Sequence, residues 1–396
     1  MRRALVNGPL FDGGSGRLQH GLAVLLAADR IEAVLPRGEV PGEVALVDVG
    51  GRVVMPGIID SHAHFALWAF DPPGQDDATV APLREATWDA LGAVLQAGCV
   101  GVRDCGGLDV AFRDGLAAGR RPGPRIQTSL TIISPVNGIA DGGRPAGALA
   151  PHLHTLPAPE CTGPDEARAK VREVVAAGAD FIKIGATGGV SSPRREPRQQ
   201  LLTEAEMTAI VDEAHRLGRP VICHALGGPG LLAALRAGVD TIEHGVWLDD
   251  EAIAEMVRRG TWYVPTLSGY ELHRRRGGPL QRGHAEAIVG SHRESVRRAH
   301  AAGVRIASGS DGGVYDHDFT LELELLAAAG LPAGEVIAAA TSRAAECLGW
   351  AADMGAVVPG RRADLLIVDG DPTRDITVLR NPDNLRVMQA GVFLDE

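Results

Sequence analysis

Six residues have the types and spacing to hold metal ions and to move protons. "SHAH" places His62 and His64 two residues apart. In an extended segment, residues two apart point to the same side, so both imidazoles can reach one ion. "ADFIKIGATGGV" carries a single cation, Lys183, among Phe181, Ile182 and Ile184. Burying a lysine there is costly unless it is paired, coordinated or neutralised. "VICHA" carries His224, "DTIEHG" carries His244 and "ASGSDGG" carries Asp311. Singly, each has an ordinary explanation. His62 and His64 could be surface histidines, and His224 and His244 satisfied core groups. Asp311 before a glycine could be a turn residue or a helix cap. Lys183 could pair with Asp104 or Glu243. Jointly, neutral imidazoles and a carboxylate form a donor set for divalent metal ions.

The elements that must position these residues are strands. Apolar runs recur at 56–64, 98–106, 125–133, 179–186, 220–227, 239–246, 261–267 and 304–313. Helical stretches lie between most of them. "LREATWDALGAVLQAG" puts Leu83, Ala90, Leu91 and Val94 on one face, and "DEARAKVREVVAAG" offers Asp165 as a cap. "TEAEMTAIVDEAHRLG" opens on Thr203 with Glu206 three residues later, a capping box. Alternating strands and helices predict an α/β fold whose middle, 56–355, is a (β/α)8 TIM barrel of about the usual ~250 residues. Such barrels carry their chemistry at the C-terminal strand ends. The polar residues there are Asp60, His62, His64, Lys183, His224, His244 and Asp311. Residues 1–55 and 356–396 have the texture of short strands and predict one small composite β-sandwich domain built from both termini.

Composition narrows the function classes. The net charge of −11 argues against nucleic acid as a partner, and basic patches such as "HRRRGG" read as solvated loop. No run of 18 apolar residues occurs, so no membrane partner is expected. The opening "MRRALVNGPLFDGG" has no sustained apolar stretch and does not read as a secretory signal. Five dispersed cysteines without a CxxC point to reduced thiols and a cytoplasmic location. The stretch 134–164 is a long irregular loop, usually functional in a compact domain. Its His152 and His154 form a second H-x-H, better suited to substrate contact or plain solvation than to metal.

The motifs "MPGIIDSHAH", "ADFIKIGATGGV", "VICHA", "DTIEHG" and "ASGSDGG", in that order, resemble the amidohydrolase superfamily. Within it they look most like the branch of Xaa-Pro and Xaa-Arg dipeptidases related to imidazolonepropionase. The likeness covers nearly the whole chain, including the closing "GRRADLLIVDGDP". It implies a binuclear site, usually zinc, with two ions per chain. His62, His64 and Asp311 would hold one ion and His224 and His244 the other. Lys183 would bridge them as an N-carboxylated lysine. Elementary chemistry agrees, since desolvation disfavours an ammonium and a neutral amine can add carbon dioxide. The resulting carbamate is anionic and offers two oxygens.

The implied reaction is hydrolysis of an amide, peptide or cyclic amide C–N bond by a metal-bridging hydroxide. Asp311 would serve as ligand and as general base and acid. Two departures bear on the substrate. Dipeptidases of this branch often carry a histidine in a "TGGHGD"-like stretch, where this chain has "SPVNGIADGG" with Asn137. Several prolidases have tyrosine two residues after the strand-5 histidine, where this chain has Leu226. Arg194, Arg195 and Arg198 could bind an anionic substrate instead or form a solvated loop. Tyr270 occupies a rim where family members contact substrate, or packs a loop. A small-molecule amide, not restricted to peptides, is therefore the expected substrate, and a homo-oligomer the expected assembly. The alternatives are a mononuclear deaminase or imidazolonepropionase-like hydrolase, a lyase or cyclase, and a non-catalytic scaffold.

Overall fold

The apolar runs of the middle segment become parallel strands because both their faces are covered. The computed structural model describes residues 2–69, 77–139, 156–190 and 195–396, and it is α/β. One parallel sheet has the order Arg125–Thr128, Cys99–Asp104, Ile58–His64, Gly312–Gly313. A second has the order Ile132–Ile133, Ile182–Gly185, Val221–Gly227, Thr241–Trp247, Trp262–Val264. Ile58–His64 and Val221–Gly227 are buried at every residue. Ile59, Val102, Ile182, Ile184, Val221, Ile242 and Val264 belong to one large apolar core.

The two sheets are joined by backbone hydrogen bonds on both sides. Asp180 N donates to Thr128 O at 2.9 Å. On the other side Ala307 N donates to Tyr263 O at 3.0 Å, and Ser61 N to Ser308 O at 2.9 Å. Residues 304–308 thus bridge the sheets, and Ile306 forms a parallel bridge with Tyr263.

Strands from both chain ends share one six-stranded sheet. Its order is Val392–Phe393, Leu385–Gln389, Leu365–Val368, Val53–Pro56, Leu10–Phe11, Leu18–Gln19. A four-stranded sheet, Arg30–Pro36, Leu22–Ala27, Arg2–Val6, Ala45–Asp48, lies beside it in sequence. Leu5, Val24, Leu26, Ile31, Val54, Leu365, Ile367, Met388 and Phe393 form one apolar cluster from both sheets.

Several local expectations are corrected. The run 125–133 is broken by Leu130, whose φ is 66°, into two strands. The run 261–267 stops at Val264, and Leu267–Arg276 is helix. The helix expected to be capped by Asp165 begins at Gly163, with Thr162 at the cap and Asp165 in its first turn. The capping box of Thr203 and Glu206 forms as read. No helix among the described residues is long and apolar enough to cross a membrane.

Candidate metal centre

The site is assembled from strands that are far apart in sequence, with His64 at a strand end and Lys183, His224 and His244 inside theirs. His62 and His64 leave Ile58–His64 on one side, with their Nε2 atoms 3.3 Å apart. Asp311 N donates to His62 O at 2.7 Å, which docks the turn before Gly312–Gly313 onto that strand. Asp311 Oδ1 then lies 3.3 Å from His62 Nε2 and 3.5 Å from His64 Nε2. Asp311 Oδ2 lies 4.0 Å from His244 Nδ1. The ring centroid of His244 is 4.4 Å from that of His224 and 5.1 Å from that of His62. His62, His64 and Asp311 satisfy the mutual spacing of a metal-binding group.

Lys183, between the strands carrying Ile132 and Ile222, is 1% exposed. Among the described residues its Nζ has no hydrogen-bond partner. Nζ makes no hydrogen bond to Asp104 or Glu243, whose bonds go elsewhere. Asp104 accepts from the amides of Phe65, Gly106 and Leu108. Glu243 accepts from His62, Arg103 and Thr241.

Each histidine has one ring nitrogen committed, and the partner fixes which. His62 Nδ1 faces Glu243 Oε2 at 2.5 Å. His64 Nδ1 faces Gly106 O at 3.2 Å, and His224 Nε2 faces Gly188 O at 3.0 Å. His244 Nδ1 is 2.7 Å from Thr266 Oγ1, whose own proton goes to Pro265 O at 2.6 Å. These acceptors assign one N–H to each ring. The other nitrogens, Nε2 of His62, His64 and His244 and Nδ1 of His224, are left as lone-pair donors. Lone pairs of His62, His64 and Asp311 converging at 3.3–3.5 Å repel unless a proton on His62 or a metal cation lies among them. The residues present therefore fit a divalent ion.

For His64, His224 and His244 the electrostatics support the same neutral state. Burial, together with the neighbouring charges of His62 and Lys183, pushes His64 down to about 4 despite Asp311. Burial and then Lys183 push His224 down to about 3. His244 lies well below the usual imidazole value through burial and His224. Burial works to raise Asp311, but the hydrogen bond and charge of His62, with His244 and His64, hold it well below the carboxylate range. Burial also opposes a charge on His62, yet Cys105, Glu243 and Asp311 keep it well above the usual value. A metal ion displaces that proton, as ligand binding to histidine requires. The Asp311 side chain is 21% exposed, against 0% for His62 and 8% for His64, so the set opens to solvent through Asp311.

Backbone strain concentrates here. His244, Thr266 and Asp311 have φ of 73°, 57° and 55°. Such conformations cost roughly 1–3 kcal/mol each and persist only where surrounding structure enforces them. In a regular strand, consecutive side chains point to opposite faces. The turn at His244 brings Glu243 and His244 together around the His62 ring. Two buried donors hold that turn: Tyr263 Oη at 3.0 Å and His292 Nε2 at 2.7 Å both reach His244 O. Asp60 is not part of the donor set. It accepts from His62 N, Ser310 N, Ser310 Oγ and His317 Nε2, fixing the Asp311 turn from behind. Gly309 and Gly269 permit the approach. A Cβ on Gly309 would lie 2.8 Å from His62 Cβ, and one on Gly269 would lie 2.9 Å from Asp311 Cβ.

The Amidohydrolase family model matches residues 53–392. The chain belongs to the amidohydrolase family. It is 30% identical over 363 residues to ochratoxinase of Aspergillus niger, covering 83% of this chain and 73% of that protein. The ochratoxinase crystal structure superposes with a TM-score of 0.87 at 27% identity, covering 99% of this chain and 95% of the other. A Xaa-Pro dipeptidase crystal structure with methionine in its active site gives a TM-score of 0.88 at 29% identity, covering 99% of both chains. Imidazolonepropionase of Paracoccus denitrificans is 29% identical over 395 residues, 90% of each chain. Family and relatives make this chain a metal-dependent hydrolase of carbon–nitrogen bonds.

The residues expected to contact substrate occupy different places in the amidohydrolase. Leu226 is fully buried in an apolar cluster with Val190, Val246, Tyr270 and Ile288. Tyr270 lies in the helix Leu267–Arg276 rather than a loop, and its ring meets His244 edge-on at 5.7 Å. Arg195 bonds to backbone of the loop that carries Asn137. Its Nε donates to Asn137 O at 2.9 Å and ties the loops after two strands together. Asn137 has φ 58°, a left-handed turn that asparagine tolerates. Arg194, His152 and His154 lie outside the described residues. Arg103, His292 and His317 support the site without having been singled out from sequence. Arg103 carried a readable signal, an isolated charge inside the apolar run "CVGVRDCG".

Proposed function

We propose that this amidohydrolase holds two divalent ions, zinc by its donor set, and hydrolyses a small amide or cyclic amide. His62, His64 and Asp311 would hold one ion, His224 and His244 the second, with Lys183 bridging as its N-carboxylated form. The observation that carries this reading is the buried Lys183 Nζ, which has no hydrogen-bond partner among the described residues and lies within electrostatic reach of four histidines whose other nitrogens are already bonded. A mononuclear reading has one observation in its favour. Only His62, His64 and Asp311, among the proposed ligands, meet metal spacing as a group.

We further propose that the two parallel sheets are arcs of one (β/α)8 barrel of residues 56–355. The bonds of Asp180 to Thr128, Ala307 to Tyr263 and Ser61 to Ser308 support closure. The shared six-stranded sheet supports a composite β domain from 1–55 and 356–396.

Bound ions would supply a nucleophilic oxygen at neutral pH and polarise the scissile carbonyl. Asp311, ionised and the most open of the set, takes the proton of the attacking water and passes it to the leaving nitrogen. Leu226, Val246, Val190 and Tyr270 form apolar packing beside His244, which favours an apolar group next to the scissile bond. Arg195 is held on its loop by the backbone carbonyls of Asn137 and Val136. Assays over dipeptides, N-acyl amino acids bearing apolar groups, and cyclic amides test this. Turnover of the latter two, abolished by chelation and restored by zinc, is expected. Turnover confined to Xaa-Pro or Xaa-Arg dipeptides would overturn the substrate reading.

A further inference from the structure

We infer that the buried Arg103–Glu243 pair is a positioning device that fixes the ring plane and tautomer of His62, and so sets how tightly the first ion is held. The inference rests on reading His62 as a metal ligand.

Arg103 lies in the strand Cys99–Asp104 and is 1% exposed, the largest fully buried side chain of the described residues. It is also the one group that grips both sides of the His62 contact. Its Nε donates to Ser61 O at 2.6 Å, on the strand of His62 itself. Its Nη2 donates to Glu243 Oε1 at 3.1 Å. Thr241 Oγ1 donates to the same oxygen. Glu243 Oε2 is thereby aimed at His62 Nδ1, 2.5 Å away.

Both carboxylate oxygens are engaged, Oε1 by Arg103 and Thr241 and Oε2 by His62, so the orientation of Glu243 is fixed. A carboxylate accepting from Nδ1–H leaves Nε2 as the donating nitrogen and makes it a stronger base. The fork of Arg103 cannot be matched by an ammonium, because two acceptors on different strands must be met in one plane. Glu243 immediately precedes His244, whose φ of 73° is what lets both residues face His62. One strand therefore contributes a ligand of the second ion and the partner of a ligand of the first. The pair links the two halves of the proposed centre without touching substrate.

The test is zinc affinity, read by stepwise competition between the full-length protein and a chromophoric chelator. Glu243→Gln keeps the shape and removes the charge. It is expected to weaken the ion held by His62 by about 10–100-fold, the usual effect of losing such a partner, and to leave the other ion in place. Thr241→Val removes only one support and is expected to weaken the same ion by a smaller factor. It carries the test if Glu243→Gln does not fold. In ¹⁵N-histidine spectra of the zinc-loaded protein, the strongly hydrogen-bonded Nδ1–H of His62 should be present in the wild type and absent in Glu243→Gln. His62→Asn separates the two claims. If His62→Asn loses an ion while Glu243→Gln binds zinc as tightly as the wild type, the positioning role is overturned and the metal centre stands. If His62→Asn keeps every ion, the metal centre itself is misread.

Discussion

Asp311 joins the two roles proposed for the site, since one oxygen faces His62 and His64 while the other faces His244. Asp311→Asn keeps the shape and removes the proton acceptor. It is expected to lower kcat/KM by about 10²–10⁴-fold, the range for losing general acid–base catalysis. An assay on the best amide from the substrate survey reads this directly, and a near-wild-type rate would show that another group carries the proton. A second residue-scale prediction concerns Glu322, buried behind the Asp311 turn. Burial and then the charge of Asp60, against hydrogen bonds from Ser268, raise it to about 8. In the unfolded chain it titrates near 4.5. Between those values the folded chain holds a proton that the unfolded chain has lost, so stability falls as pH rises through that window. Glu322→Gln should flatten the decline of Tm between pH 5 and 8 by thermal melts at each pH, and an unchanged slope would count against a neutral Glu322. The ligand candidates were legible because each is a polar residue set in or just after an apolar run. The supports were not. Arg103 interrupts its strand as Lys183 does, but nothing local says that its partner lies 140 residues away.

At the scale of elements, the helix Leu267–Arg276 presses its first turn against Asp311, and Gly269 makes the approach possible. Gly269→Ala would place a methyl 2.9 Å from Asp311 Cβ and 3.0 Å from Oδ2. Alanine favours helix by roughly 1 kcal/mol over glycine, which offsets part of the about 1–3 kcal/mol cost of the close contact, so Tm should fall only slightly. Activity should fall by about tenfold or more as Asp311 is displaced, since small misplacements near the chemistry are expensive. Parallel measurement of Tm and kcat checks the split. Loss of both together would mean the methyl disrupts the fold and not the site. The strands carrying His224 and His244 were readable as apolar runs with a polar end. The helix was not. The chain leaves Trp262–Val264 through Thr266 at φ 57°, a conformation disfavoured for a β-branched residue. Tertiary contacts enforce it, chiefly the bond from His244 Nδ1 to Thr266 Oγ1. Leu130, at φ 66°, divides the run 125–133 in the same way.

Over the whole molecule, the chain ends meet in one sheet, and the texture of short strands at both termini anticipated this. The register did not follow from sequence, because which terminal strands pair is decided by packing. Phe393 is 1% exposed in the cluster with Leu5, Ile31 and Met388, and Arg386 lies over its ring. Phe393→Ala should cost about 3–5 kcal/mol by cavity formation. Denaturant melts should show the loss, while zinc content below the transition stays as in the wild type. A protein that keeps its stability would place the C-terminus outside the cooperative unit. A pair of ions joined through Lys183 fixes the metal content per chain, read by elemental analysis of the wild type beside Lys183→Ala. Close to two ions per chain are expected in the wild type. Lys183→Ala should fall to one or fewer, with partial recovery when a short carboxylic acid is supplied. One ion per chain in the wild type, or two retained in Lys183→Ala, would contradict it.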